Sequence, residues 1–291
     1  MSSISKNYSP NLDKESKEKF SKLSIDKRIL RMMKSTAVSE QCEECGGDMV
    51  KIKATQKVIC LVCEEKRLKG QEPELANKWT RDTWKARTWE YFNAYSVLRD
   101  NNIKSAGFTG YDTTEEQVAK AKEKAIRFMN LVLNGESPHM ILSGAPGRGK
   151  SHLAMATLRN ILETSKYTKK GIYVHYASFL DLVKESFDQP EKKQRVAQIK
   201  AEMMNCSVLV LDDLGVDLGS IDRPKDASPW NMEMLNLVLE ARENKPLIVT
   251  TNFDEGQIKA SYGERNYSRM FIHSKGMRIL FNNVTDKRLD L

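Results

Sequence analysis

The chain has 291 residues, 40% hydrophobic and 30% charged, with a formal net charge of +8. Such a composition describes a globular protein of one full-sized domain plus a smaller one, and no apolar run approaches the roughly 20 residues of a membrane span. No apolar core of a secretory leader follows the N-terminus, so the expected compartment is the cytoplasm, and the dispersed positive excess admits nucleic acid or another acidic partner.

The first forty residues are rich in Lys, Ser and Glu, with one amphipathic stretch, "KLSIDKRILRMMK", where Leu23, Ile29, Leu30 and Met33 recur at near-helical spacing. Residues 41–68 then carry two Cys-x-x-Cys pairs, "CEEC" and "CLVC": Cys42, Cys45, Cys60 and Cys63. In a reducing compartment that spacing points to a metal rather than to disulfides. Four thiolates close a tetrahedral Zn²⁺ site with no open position, so the expected role is structural. A head this small buries little core, and zinc supplies on the order of 10–16 kcal/mol of apparent binding energy. Four unlinked buried cysteines are the plain alternative.

From residue 70 to 100 the pattern is helical, with Trp79, Trp84, Trp89 and Tyr95 interleaved among Lys78, Arg81, Lys85 and Arg87. Such tryptophans either anchor one element on another or stack on single-stranded bases. After a loop, "EEQVAKAKEKAIRFMNLVL" is a helix of good formers. The runs "MILSG", "GIYVHYASF", "SVLVLDDLG" and "PLIVTTNF" are then apolar and β-branched, with helical segments between them. Near-continuous apolarity marks strands buried on both faces, and alternation with helices implies an α/β fold with a parallel sheet between helices. The expected division is a zinc-binding head over 1–70, a helical linker over 71–105 and an α/β body over 106–291.

Between "HMILS" and "KSHLAMATLRNILE" lies Gly144-Ala145-Pro146-Gly147-Arg148-Gly149-Lys150-Ser151, a G-x-x-x-x-G-K-[ST] loop in strand–loop–helix context. Its glycines let backbone N–H groups turn inward as an anion nest, and the helix N-terminus adds partial positive charge. Lys150 is expected to reach the β- and γ-phosphates of ATP, and the Ser151 hydroxyl to hold Mg²⁺. "SVLVLDDLG" ends a buried strand in two acids: Asp212 for the Mg²⁺ shell, Asp213 to polarise a water. A polar strand cap is the bland reading of the same pair. Asn252 ends the next strand, where an amide orients that water. Arg265 and Arg269 are four apart, hence on one helical face, where an arginine from a neighbouring subunit accelerates phosphoryl transfer or where a solvated face is all there is. His139, His152, His175 and His273 are scattered without ligand spacing and are read as structural, and Cys206 as a small buried apolar residue.

With "AGFTGYDTTEEQ", "GAPGRGKSHLA", "VLVLDDLG", "SPWNMEMLNLVLEARENKPLIVTTN" and "YGERNYSRM" in view, the chain from residue 106 onward resembles the AAA+ ATPases, specifically replicative-helicase loaders of the DnaC/DnaI type. The resemblance implies a Walker A loop at Gly144–Ser151 followed by His152, Walker B acids at Asp212 and Asp213, and sensor 1 at Asn252. It places an arginine finger at Arg269 with Arg265 one turn before it, and a closing arginine near Arg288. With Asp213 as the second acid, it also implies slow hydrolysis. The zinc-bearing head resembles the DnaI branch, whose corresponding domain contacts the helicase. The implied partners are thus a hexameric replicative DNA helicase, single-stranded DNA and a second copy across the ATP site. A transposition helper ATPase shares the same ATPase motifs. A zinc-ribbon DNA-binding regulator with an ATP switch is the reading from another class.

Overall fold

The computed structural model describes residues 35–53, 56–282 and 284–286; the amphipathic stretch at 22–34 and Arg288 lie outside the described residues. The chain divides into two compact units, Met1–Thr80 and Arg81–Leu291.

In the first unit the cysteine pairs are mounted on a small sheet that the sequence does not announce. Strands β1 (Ser35–Gln41), β2 (Asp48–Ile52) and β3 (Val58–Cys60) pair antiparallel in that order. Runs this short carry too little periodicity to be read. Helix α1 (Leu61–Tyr95) follows β3 directly, starting earlier than the expected 70 because "EEKRLK" is already made of good helix formers.

The second unit is built on a five-stranded parallel sheet. Its strands are β4 (His139–Gly144), β5 (Gly171–His175), β6 (Val208–Leu214), β7 (Leu247–Thr251) and β8 (Arg278–Phe281), in spatial order β5-β6-β7-β4-β8. The helices between them are α2 (Glu116–Leu133), α3 (Lys150–Thr164), α4 (Tyr176–Glu185), α5 (Pro190–Asn205), α6 (Pro229–Arg242) and α7 (Glu255–Phe271). Strand alternation splits each apolar run between two cores. Ile141, Leu209, Leu211 and Val249 meet α4, α5, α6 and α7 on one face. Met140, Leu142, Val210 and Ile248 meet α2 and α3 on the other. Both neighbours in sequence are therefore buried, which is why these runs read as continuously apolar. Each fully buried Leu or Val contributes about 1.5–3 kcal/mol. On α2 the buried positions Val118, Ala121, Ala125, Phe128 and Val132 recur three and four apart, a single stripe against the sheet.

Two boundaries differ from expectation. The run "GIYVHYASF" ends as a strand at His175, and Tyr176 opens α4, because the His175 ring accepts the Ser178 N–H (3.3 Å) and caps the helix. Strand β8 was not anticipated; it lies on the sheet edge and alternates exposed and buried, a short and weak signal. The segment before residue 105 also packs here. Phe92 is fully buried against this core with Trp89 edge-on to it, and the Thr88 hydroxyl donates to Tyr167 O (3.0 Å). Val97 bridges β5, donating to Tyr173 O (2.9 Å) and accepting from His175 N (2.7 Å), which covers part of an otherwise open strand edge. Trp84 and Trp79 are exposed, Trp79 at 75%. Among the described residues no helix is long and apolar enough to cross a membrane.

At the start of β4, His139 is fully buried with Nδ1 2.9 Å from Met270 O and Nε2 3.2 Å from Arg242 O. Burial disfavours the imidazolium more than these two carbonyls favour it, so its pKa is held below the ordinary 6.5. The unfolded chain then takes up this proton at higher pH than the folded one. The contribution to stability is accordingly complete above about pH 6.5 and is lost as pH falls below it. Melting temperatures measured from about pH 7.5 down to about pH 5.5 should fall more steeply for the native protein than for His139→Gln.

Candidate active site and metal centre

Strand order sets four chain segments side by side at the C-terminal edge of the large sheet: His175 from β5, Asp212 and Asp213 from β6, Asn252 just past β7, and the Gly144 loop from β4. Ligands of open α/β sheets bind at this edge. The loop is shaped by two glycines in particular. Gly144 has φ 137° and Gly147 φ 77°. A Cβ would fall 2.8 Å from the Phe281 backbone O at the first, and at the second the left-handed backbone strains any L side chain, so glycine is favoured at both. Lys150 then opens α3, putting the loop at a helix N-terminus.

The ammonium of Lys150 donates to Gly144 O and Ala145 O, both at 2.7 Å, and to Asn252 Oδ1 at 2.8 Å. Asn252 Nδ2 in turn donates to Asp213 Oδ1 (2.8 Å), and Asp213 Oδ2 stands 3.8 Å from His175 Nε2. Lys150, Asn252, Asp213 and His175 are thus one polar chain across four strand ends. His175 beside it, with the charges of Lys150 and Arg99, holds the Asp213 carboxyl below the usual range against the opposing effect of burial. Asp212 is 5% exposed and accepts from Thr250 Oγ1 (2.6 Å). The phenol of Tyr173 is buried beside Asp212; burial first, then the Asp212 charge, pushes its pKa well above the ordinary value.

These groups line one cleft of about 810 Å³, together with Pro146, Arg148, His152, Arg99 and Tyr111. His152 Nε2 is 3.4 Å from Gly107 O and its ring lies 5.4 Å from that of Tyr111. Arg148 Nε and Tyr111 Oη are buried without a hydrogen-bond partner among the described residues. Orphaned polar groups beside the glycine-rich loop fit a phosphate-bearing ligand, and Ser151 and Asp212, both lining the cleft, offer the oxygen donors that Mg²⁺ prefers.

Sequence reasoning missed Arg99, Tyr111, Tyr173, His175 and Thr250. His175, read as structural, contacts Asp213 directly. The signal was available: a polar residue closing a parallel strand belongs to the same edge as Asp212.

Arg265 and Arg269 are not brought to this cleft. A kink at Gly263 (φ 82°, ψ 159°) interrupts α7, and both arginines follow it. They do share one face: Arg269 pairs with Glu240 (3.2 Å) and Glu243 (2.9 Å), and Arg265 reaches Glu240 at 3.9 Å.

In the first unit Cys42 and Cys45 occupy the turn between β1 and β2, Cys60 ends β3 and Cys63 lies in the first turn of α1. Their four Sγ atoms all lie within 4.8 Å of one another, with Cys45–Cys60 at 3.3 Å and Cys42–Cys63 at 3.8 Å. A tetrahedron with metal–sulfur bonds of ~2.3 Å has edges of ~3.8 Å, so the cluster fits one Zn²⁺. The Cys63 backbone N–H draws the Cys60 thiol down to about 7. Gly47 N–H and C=O complete the knuckle, its carbonyl accepting from Cys42 N (2.9 Å), while a Cβ there would meet Val62 and the Cys45 sulfur.

Residues 98–272, more than half of the chain, match the family model described as IstB-like ATP binding protein. The chain belongs to that family. The cleft accordingly lies in a domain whose family binds ATP. Among curated relatives, the replicative helicase loader DnaC of Escherichia coli K12 is 24% identical over 181 residues, covering 62% of this chain and 68% of that one. The uncharacterized protein YqaM of Bacillus subtilis is 28% identical over 152 residues, 50% of this chain and 45% of its own. A crystal structure of the DnaC helicase loader superposes with a TM-score of 0.50 at 23% identity, covering 64% of this chain and all of that one, which establishes a shared fold.

If the four thiols hold zinc, the purified protein should carry about one zinc per chain by elemental analysis. Cys42→Ser with Cys45→Ser should abolish it, and chelation should remove the melting transition of the head while leaving that of the ATPase unit.

Proposed function

We propose that this protein is an ATP-dependent loader that binds a hexameric replicative DNA helicase and helps place it on single-stranded DNA. The observation that carries the nucleotide part is the polar chain Lys150–Asn252–Asp213–His175 at the sheet edge, beside the Gly144–Ser151 loop. Sequence similarity to the DnaC loader supports the helicase part. The metal-bearing head over residues 1–70 docks on the helicase, residues 71–105 link, and 106–291 form the ATPase body.

In this reading the backbone N–H groups of Gly147, Gly149 and Lys150 and the Arg148 side chain hold the polyphosphate of ATP. Lys150 exchanges its loop carbonyls for phosphate oxygens. Ser151 and Asp212 hold Mg²⁺, which when bound neutralises charge developing on the transferred phosphoryl group. Asp213 is kept ionised by His175 and is therefore a weak base. It orients the attacking water together with Asn252 rather than drawing off its proton early, which agrees with slow hydrolysis. Arg269 and Arg265 lie away from the chain's own cleft, as an arginine finger given to a neighbouring copy requires. The net charge of +8 and the exposed Trp79 and Trp84 support single-stranded DNA as the nucleic-acid partner.

Lys150→Ala should weaken Mg·ATP binding by roughly tenfold to hundredfold in calorimetry, the worth of a hydrogen-bonded charge. Full-length protein should co-purify with a hexameric replicative helicase, and a 71–291 fragment should not. Equal capture by that fragment would remove the head from the loader mechanism. Capture of a transposase in place of the helicase would favour the transposition-helper reading.

A further inference from the structure

Successive residues of a strand point to opposite faces, yet Asp212 and Asp213 both line the same cleft. The pairing of β6 with β7 shows how. Leu211 pairs with Val249 and Leu214 with Thr251, so two residues, Asp212 and Asp213, stand opposite Thr250 alone. This is a β-bulge. Asp213 adopts φ 57°, a left-handed conformation that the short Asp side chain tolerates but seldom takes inside a strand. A bulge leaves a main-chain group without its ladder partner, and such a group needs a replacement partner.

The replacement is one hydroxyl. Thr250 is 1% exposed; its Oγ1 accepts from Asp213 N–H (2.8 Å) and donates to Asp212 Oδ1 (2.6 Å). The neighbouring Thr251 does something different: its hydroxyl donates to Leu214 O (2.7 Å) and accepts from Phe253 N (3.1 Å), which ties off the strand end. The Thr250 hydroxyl hydrogen-bonds both acids. Its single proton goes to the carboxylate of one, and its lone pair to the backbone of the other, so the rotamer of Asp212 and the main chain of Asp213 are set by the same atom.

We infer that Thr250 is the positioning residue for both acids: its hydroxyl stabilises the bulge that turns Asp212 and Asp213 into one cleft. The inference rests on the nucleotide reading for what the acids then do, but not for the bulge itself. Serine keeps the hydroxyl, whereas valine keeps the shape and loses both hydrogen bonds.

The test compares Thr250→Val and Thr250→Ser in the full-length, zinc-loaded protein, with Thr250→Ala as a second hydroxyl-free variant should valine prevent folding. Amide hydrogen exchange at Asp213 is followed without nucleotide, and Mg²⁺ dependence is followed through binding of a fluorescent ADP analogue. Loss of the hydroxyl should speed Asp213 exchange and raise the Mg²⁺ half-saturation by about tenfold or more, as for other supporting partners of metal ligands. Metal-free ADP binding should be unchanged, and Thr250→Ser should match the native protein in all three. Native-like exchange in the hydroxyl-free variants would overturn the inference. So would a serine variant as impaired as valine, since packing and not the hydroxyl would then be responsible. If no form binds the nucleotide, the ATP reading fails, and Asp213 exchange alone decides the role of Thr250.

Discussion

Parallel pairing of β7 between β6 and β4 is the constraint on which the rest of this site depends. A loop that turns after β4 and acids that end β6 cannot touch across an intervening strand. Asn252, at the end of that strand, spans the gap by accepting from Lys150 and donating to Asp213. The arrangement is precise because the three strands are buried on both faces, where packing leaves little room for a strand to slide. A slip of one residue would send Asp212 to the wrong face and take Asn252 out of reach.

The electrostatics of the cleft follow from that geometry. Lys150 is 6% exposed, and its ammonium donates to two loop carbonyls and to the Asn252 amide oxygen. These are neutral partners, weaker than the charged phosphate oxygens that the proposed ligand would bring. The two acids are treated differently by their surroundings although they are adjacent in sequence. Asp212 accepts from the Thr250 hydroxyl and lies beside the buried Tyr173 phenol. Asp213 meets His175 and the amide of Asn252, which hold it ionised and aimed. The surroundings of the two acids thus differ although they are adjacent on the same stretch of chain.

The two units solve the problem of stability by different means. The ATPase unit has two apolar cores, one on each face of its sheet. Among its described residues the head has three short strands with few buried side chains, Val50, Ile52 and Cys60 among them, and brings four thiols together where those strands end. A sheet of that size is marginal by itself, and four thiols placed to close a tetrahedral metal site would give it a cross-link.

Much of the body was legible in the chain because its signals are local. The phosphate loop is continuous in sequence, and its glycines are demanded by φ values and by crowding that no other residue relieves. Strands buried on both faces declare themselves as apolar runs, and the cysteine pairs by their spacing. The strands of the head and the edge strand β8 were too short or too evenly alternating to stand out. Which residues meet across strand ends was settled only by tertiary structure. Tyr173 and Thr250 carry no motif and sit in runs that read simply as core; they became part of the site because β5, β6 and β7 lie side by side in register. Local sequence determines where the backbone must turn and which faces must be buried. The order of strands, set by how two cores close around the sheet, decides which side chains share a cleft.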